Sequence, residues 1–306
     1  YSLEIVSETD TTRTVRHALG EVEIPKEPQR IVTLQDQNML LPLLELGAGE
    51  QVVGSVGGAG GEFRRTDAFD TTGITYVGDH LSPNLEAIIA LQPDLILGTD
   101  FTVNAENYPQ LSQIAPTIPV VQSVRPLWNA LYDVALLTDR RVELTALKDR
   151  YDAQVAELRE ALGDPGEIAL TLVTPYRGEF YFDAGEHDSS TTVLRDLGVT
   201  LPELHEEAIA SGDYPSYSSE VLPEADGDAL FIYDYSGDED DPDYGVTLLT
   251  ELPFFGNLNA ARKGQVYVVD GSRTAGIATQ GLFYFLELFE ETLLAEGFDA
   301  SWEPEG

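Results

Sequence analysis

Arginines and aromatic residues recur together at a few points of this chain. Phe63-Arg64-Arg65, Tyr176-Arg177 and the run Tyr233-Asp234-Tyr235 are the clearest, and Tyr181, Tyr214 with Tyr217, and Arg273 add to them. An arginine fork binds anionic oxygens in a fixed plane, and tyrosine or phenylalanine rings cover the apolar shell of an organic ligand. His80 and Phe101 extend the set, in Asp79-His80 and Asp100-Phe101. The chemistry implied is capture of an anionic organic molecule, without a covalent step. For each arginine the competing assignment is a surface ion pair with one of the many acids.

Those acids are abundant. Lys plus Arg is 17, Asp plus Glu is 54, and the formal net charge is −37 over 306 residues. Such a surface repels phosphate backbones and anionic lipid, so nucleic acid and polybasic membrane binding are excluded as functions. Only Lys26, Lys148 and Lys263 are lysines, and fourteen basic residues are arginines. Excess acid with little lysine fits adaptation to high salt, where screening relieves self-repulsion. An acidic bias from base composition would leave the same mark.

Enzyme motifs are missing. Cysteine is absent, which excludes thiol catalysis, cysteine-ligated metals and disulfides. There is no G-x-S-x-G, P-loop, H-E-x-x-H or dinucleotide fingerprint. Gly57 to Gly61 lacks the lysine of a phosphate loop and reads as a mobile ligand loop. His17, His80, His187 and His205 show no metal spacing, so no metal site and no cofactor are expected. The acidic run Gly237 to Asp243 lacks the glycine and terminal glutamate of a calcium loop and reads as a solvated loop.

Position is supplied by alternating short elements. Tyr1 to Asp10 reads as a polar tether. Arg13 to Ala18 and Val22 to Ile24 form a hairpin around Gly20. Strands follow at Ile31 to Leu34, Val52 to Val56, Ile74 to Val77, Leu95 to Leu97 and Pro119 to Gln122, with a helix from Asn38 to Leu46. Ser82-Pro83-Asn84-Leu85-Glu86 opens a further helix, with Ser82 as its cap. A long helix spans roughly Arg140 to Leu162. Strands then recur at Ile168 to Val173, Phe180 to Phe182, Ala229 to Tyr233 and Val266 to Val269, with helices near Thr191 to Leu197 and Ala278 to Leu294. The alternation predicts an α/β fold of two Rossmann-like lobes, each a mostly parallel sheet flanked by helices. The expected division is 1–138 for the first lobe, 139–164 for the linking helix and 165–306 for the second lobe, with a ligand cleft between the lobes.

Certain segments resemble the periplasmic-binding-protein-like solute receptors of ABC importers, in the group that receives ferric siderophores, haem and cobalamin. Gly20 to Pro25 through Pro28 to Val32 matches the opening of that group, and Leu43 to Gly47 with Val52 to Gly54 continues it. Ser82 to Ile88 with Leu91 to Leu97 is the most specific stretch. Ser218 to Leu222 ahead of Asp228 to Phe231 resembles the partner motif, and Phe254 to Val269 the closing block. The resemblance implies two lobes on a rigid helix and a monomeric receptor that delivers an iron chelate to a permease.

It also implies roles. Glu86 and Glu220, one per lobe, would pair with arginines of the permease, whereas the residues alone read equally as acids favoured by a helix dipole. His80 and Phe101 fall at ligand-contact positions, with Arg177 and Arg273 at second-lobe positions. The group often carries arginine where His80 stands and an aromatic residue where Arg273 stands. Arg64, Tyr176, Tyr181, Tyr214, Tyr233 and Tyr235 complete the expected ligand set. Ferric siderophore is the expected cargo, since the arginines favour an anion; cobalamin or haem is the alternative on the same fold. A cofactor-containing two-lobed enzyme is the alternative of another class, and the missing cysteines weigh against it. The expected location is outside the cytoplasm, with a signal and a lipid-anchoring cysteine preceding Tyr1.

Overall fold

A computed structural model describes residues 3–122, 125–182, 185, 188–211, 214–235, 245–274 and 276–302. His187 and the acidic run Gly237 to Asp243 lie outside the described residues. The chain divides into two compact units, one of residues 1–149 with 276–279 and the other of residues 150–275 with 280–306.

The first unit opens with an antiparallel sheet of β1 (Glu4–Glu8), β2 (Thr12–His17) and β3 (Gly20–Pro25). The expected hairpin is β2–β3, closed over Ala18-Leu19 with His17 paired to Gly20. The expected tether is corrected: residues Glu4 to Glu8 pair with β2 as an edge strand, Glu4 opposite Arg16 and Glu8 opposite Arg13. Backbone hydrogen bonds hold that strand although its side chains are largely exposed.

The second sheet of this unit comprises β4 (Ile31–Thr33), β5 (Val52–Gly57), β6 (Thr75–Asp79), β7 (Ser82–Pro83), β8 (Leu95–Thr99) and β9 (Thr117–Val120), in the order β7-β6-β5-β4-β8-β9. All neighbours are parallel except β6 and β7. Strands β4 and β8 are buried along their whole length, as parallel strands covered on both faces must be. Val32, Leu34, Val56, Val77, Ile88 and Ile96 form one core cluster. The order reverses at β4, which places a topological switch point at the carboxyl ends of β4 and β8.

The helices of this unit begin with α1 (Leu41–Glu45), which follows a wider turn over Asp36–Leu40 and ends before Gly47 at φ 70°. In α2 (Leu85–Ala90) the cap differs from expectation. Asn84 accepts from the Ala87 N–H at 3.0 Å, while Ser82 belongs to β7 and faces Asp79. Helices α3 (Tyr108–Leu111) and α4 (Leu127–Leu137) follow, and α5 (Arg141–Leu162) carries the chain from the first unit into the second.

In the second unit β10 (Leu170–Tyr176), β11 (Glu179–Tyr181), β12 (Ser216–Ser218), β13 (Ala229–Asp234) and β14 (Val266–Asp270) form one sheet ordered β12-β11-β10-β13-β14. Strands β10, β13 and β14 are parallel; β11 and β12 add antiparallel neighbours. The helices are α6 (Ser189–Leu197), α7 (Glu203–Ser211), α8 (Thr247–Thr250), α9 (Asn259–Lys263) and α10 (Thr279–Leu293). Phe231 packs edge-on to Phe289 at 5.1 Å and Phe285 lies 5.7 Å from Phe289, while the fully buried Phe180 packs edge-on to Phe182 at 5.4 Å.

Candidate functional site

At the switch point of the first unit, Asp36 follows β4 and is fully buried. Arg64 answers it with both arms of its fork: Nε donates to Oδ2 at 2.9 Å and Nη2 to Oδ1 at 2.5 Å. The Arg64 backbone N–H adds a third bond at 3.0 Å. These bonds to Asp36 raise the Arg64 pKa. Arg64 thus pins the loop after β5 to the turn after β4. Arg125 donates from Nη1 to Oδ2 of the buried Asp133. Arg64 and Arg125 each therefore tie segments of the first unit together.

Phe101 stands at the carboxyl end of β8 with 67% of its surface exposed. Thr99 Oγ1 accepts from its N–H at 3.3 Å, and Asp100 accepts from the Gln122 N–H at 3.2 Å. The ring projects from a turn that is itself well tied. The side-chain carbonyls of Gln35, after β4, and Gln122, after β9, are buried without a hydrogen-bond partner. They are acceptors at the same sheet edge that the sequence reasoning did not single out. His80 occupies the exposed two-residue turn between β6 and β7. Asp79 Oδ1 shapes that turn by accepting from the N–H groups of Leu81 and Ser82 at 2.8 and 3.0 Å.

The second unit gathers its candidates at the carboxyl ends of β10, β13 and β14. Arg177 and Gly178 form the β10–β11 turn with φ 51° and 82°, the doubly left-handed geometry of a tight hairpin. The exposed Arg177 guanidinium lies 4.9 Å from the Tyr176 ring centroid. Arg273, also exposed, lies 4.1 Å over Tyr284. A ring under each cation adds a cation–π attraction. The Tyr284 hydroxyl accepts from the Asp270 N–H at 3.0 Å, and burial raises its pKa.

Tyr235 and Tyr233 stack at 5.8 Å with planes 5° apart. Tyr235 is half-buried at the edge, whereas Tyr233 is 1% exposed and packs on Phe285. Tyr233, expected among the ligand residues, lies on a strand buried from Ala229 to Tyr233 and supports Tyr235 on the same face. Tyr181 is half-buried on β11 opposite Ser216. Tyr214 donates to Asp188 Oδ2 at 3.0 Å. Gly271 passes so near Tyr235 that a Cβ there would stand 2.5 Å from the ring.

Glu86 and Glu220 share one local construction. Each is exposed, and each is the second residue of a helix that follows a short antiparallel strand. Asn84 caps the first helix; Ser218 accepts from the Glu220 N–H at 3.4 Å in the second, which spans Ser219–Ala225. Among the described residues no cluster of His, Asp and Glu could hold a metal ion. No helix of the described residues is long and apolar enough to cross a membrane.

The family profile described as periplasmic binding protein matches residues 32–272. The chain belongs to the periplasmic binding protein family. Among curated relatives, the probable siderophore-binding lipoprotein YfiY of Bacillus subtilis is 32% identical over 274 residues, covering 85% of this chain and 80% of the relative. The iron(3+)-hydroxamate-binding protein FhuD of the same organism is 29% identical over 269 residues, covering 85% and 79%. Among solved structures, Staphylococcus aureus SirA complexed with staphyloferrin B superposes with a TM-score of 0.74 at 24% identity, over 93% of this chain and 99% of that one. A FhuD-fold component of a ferrichrome ABC transporter from Bacillus subtilis reaches 0.76 at 25% identity, over 91% and 98%. This periplasmic binding protein thus has the mixed α/β architecture expected from its alternating strands and helices, with α5 as the joining helix.

Proposed function

We propose that this periplasmic binding protein is the extracytoplasmic receptor of an ABC importer for a ferric siderophore. The observation that carries the reading is the edge of the second unit. There Arg177 and Arg273 stand exposed on aromatic rings beside Tyr235, in a chain of net charge −37. Cations held outward at a sheet's carboxyl edge select an anionic chelate, and the tyrosines cover its organic arms. His80, Phe101, Tyr176, Tyr181 and Tyr214 line the approaches in their own units, and Arg64 holds its loop in place. Iron enters as part of the cargo. Binding is the whole of the chemistry, performed by a monomer anchored by lipid at the cell exterior. The names of YfiY, FhuD and the SirA complex support the cargo class.

Glu86 and Glu220 are the proposed contacts with the permease. Their matching construction supports a shared role, since helix-start acids gain from the dipole anywhere but need not be exposed beyond a short edge strand.

The test is a titration of ferric hydroxamates, catecholates, carboxylates, haem and cobalamin against tyrosine fluorescence in high salt. Saturable quenching by a ferric siderophore is expected. Quenching by cobalamin or haem alone would refute the cargo. For docking, Glu86→Gln with Glu220→Gln should abolish chelate uptake and leave the titration unchanged; loss of cargo affinity would remove these acids from the docking role.

A further inference from the structure

The second unit has a further cavity at the amino edge of its sheet, the edge opposite Arg177, Tyr235 and Arg273. It holds about 920 Å³, and Trp302, Phe254, Glu203, Glu207, Glu224 and Arg262 are in its lining. Small-molecule sites have volumes of about 300–1,000 Å³. Its position is set where the parallel strands begin. Asp228 is fully buried just before β13; its carboxylate accepts from the Ala169 N–H, before β10, at 2.9 Å and from the Trp302 N–H at 2.7 Å. Lys263 Nζ donates to the same carboxylate at 3.2 Å and to the Asp299 carbonyl at 3.0 Å. Gln265, 3% exposed before β14, donates to that carbonyl at 3.1 Å and accepts from the Asp299 N–H at 2.7 Å. These buried groups draw the residues up to Trp302 back across the amino edge, and the half-buried Trp302 lines the cavity.

The charges of the lining are unbalanced. Glu203 and Glu207 stand four apart on α7, so two like charges share one helix face and oppose each other. Glu203 gains from the helix dipole, but Glu207 lies a turn further on, where that gain has faded. Among the described residues neither they nor Glu224 have a hydrogen-bond or ion-pair partner, and Arg262 has none either. Asp226 also lines the cavity, with its carboxylate accepting from the N–H groups of Asn259 and Ala260. Four carboxylates against one guanidinium give the lining a net charge of −3. An anion is repelled there, and a neutral ligand leaves the carboxylates unanswered. An organic cation meets both parts of the lining: carboxylates take its charges, and the Trp302 and Phe254 rings attract the cation and cover its apolar links. We propose that this cavity is a second ligand site, for an organic polyamine.

The experiment titrates spermidine into the intact protein by calorimetry at about 0.5 M sodium chloride, where diffuse attraction is largely screened. One saturable site is expected, with choline, a single cation, binding more weakly. Glu203→Gln with Glu207→Gln should weaken spermidine about tenfold or more. Glu157→Gln with Glu160→Gln removes the same charge from exposed positions on α5 and should change nothing. Arg262→Gln should tighten binding, since it takes a competing cation out of the lining. Trp302→Leu should weaken it about twofold to fivefold, and Trp302→Phe should restore most of the loss. Absence of a saturable site overturns the proposal. Equal weakening by the two glutamate pairs would reduce it to diffuse counter-ion attraction. Weaker binding in Arg262→Gln, or no change in Trp302→Leu, would place spermidine outside this cavity. Equal thermal midpoints show that the variants compared are folded alike.

Discussion

The Ser219 hydroxyl donates to the Gly178 carbonyl across 2.6 Å, joining the turn that carries Arg177 to the helix that carries Glu220. Ser219 is 5% exposed, so its hydroxyl is the buried partner, while Gly178 lies in an exposed turn where water can partly replace the lost donor. Ser219→Ala is expected to cost about 1 kcal/mol, lowering the thermal midpoint by about 2–4 °C. A melting curve identical to wild type would show that the hydroxyl holds nothing.

Asp36 and Arg64 make the corresponding tie in the first unit. Asp36→Asn keeps the shape and removes the charge, leaving Arg64 with a weaker acceptor. Charge-assisted hydrogen bonds contribute about 1.5–3 kcal/mol. Arg64 keeps 34% of its side chain in solvent, so the loss should fall at the low end of that range. Urea denaturation measures it. The double variant Asp36→Asn with Arg64→Gln should recover part of the loss; simple additivity of the two single changes would mean that the pair is not coupled.

The pairing with Asp36 is an instance of what sequence hides. Twenty-eight positions separate the partners, and no local pattern links them, so Arg64 read as a ligand cation. The strands at Ile31–Thr33 and Leu95–Thr99 were legible because burial on both faces writes an uninterrupted apolar run. Strand β1 was illegible for the opposite reason: its pairing is made by backbone, and its exposed side chains carry no alternation. Ser82-Pro83 has the composition of a helix start, yet the turn chemistry of Asp79 draws Ser82 into a strand and passes the cap to Asn84. Residue types at strand ends marked Arg177, Tyr235 and Arg273 as candidates. The rings and backbone beneath them, Tyr284 and Gly271, became visible only with the fold.

Gly271 tests the packing under Tyr235. A Cβ at this position would lie 2.5 Å from two ring atoms, and the ring is already stacked on Tyr233. Gly271→Ala should therefore displace Tyr235 outward. The expected stability loss is about 1–3 kcal/mol, the usual cost of overpacking, together with weaker chelate binding. Stability lost with affinity intact would remove Tyr235 from the ligand set.

His17 gives the first unit a pH dependence. It is 1% exposed, and burial lowers its pKa from the ordinary 6.5. Its Nδ1 accepts from the Leu19 N–H at 3.2 Å, and Nε2 contacts the Tyr108 hydroxyl at 3.3 Å. The neutral ring is the folded form, and the unfolded chain takes up the proton first. The contribution of His17 is therefore full above pH 6.5 and is lost as pH falls through the depressed folded pKa. Denaturation of wild type and His17→Asn at pH 7.5 and at successively lower pH isolates it. The wild type should lose more stability than the variant over that interval; equal losses would show that His17 is silent.

Salt should act in the opposite sense to its effect on a single ion pair. Screening weakens Arg64–Asp36 slightly, but acids outnumber bases 54 to 17, so most charge contacts across the surface are repulsive. At 1 M salt the screening length is about 3 Å, shorter than the spacing of most surface carboxylates, and the repulsion that opposes compaction is relieved. The thermal midpoint is expected to rise from 0.1 M to 2 M sodium chloride. Sucrose at matched osmolality separates charge screening from general solute exclusion, because it strengthens burial without screening charge. A larger rise in salt than in sucrose supports self-repulsion as the controlling term; equal rises, or a fall in salt, would mean that ion pairs and packing already balance the negative charge.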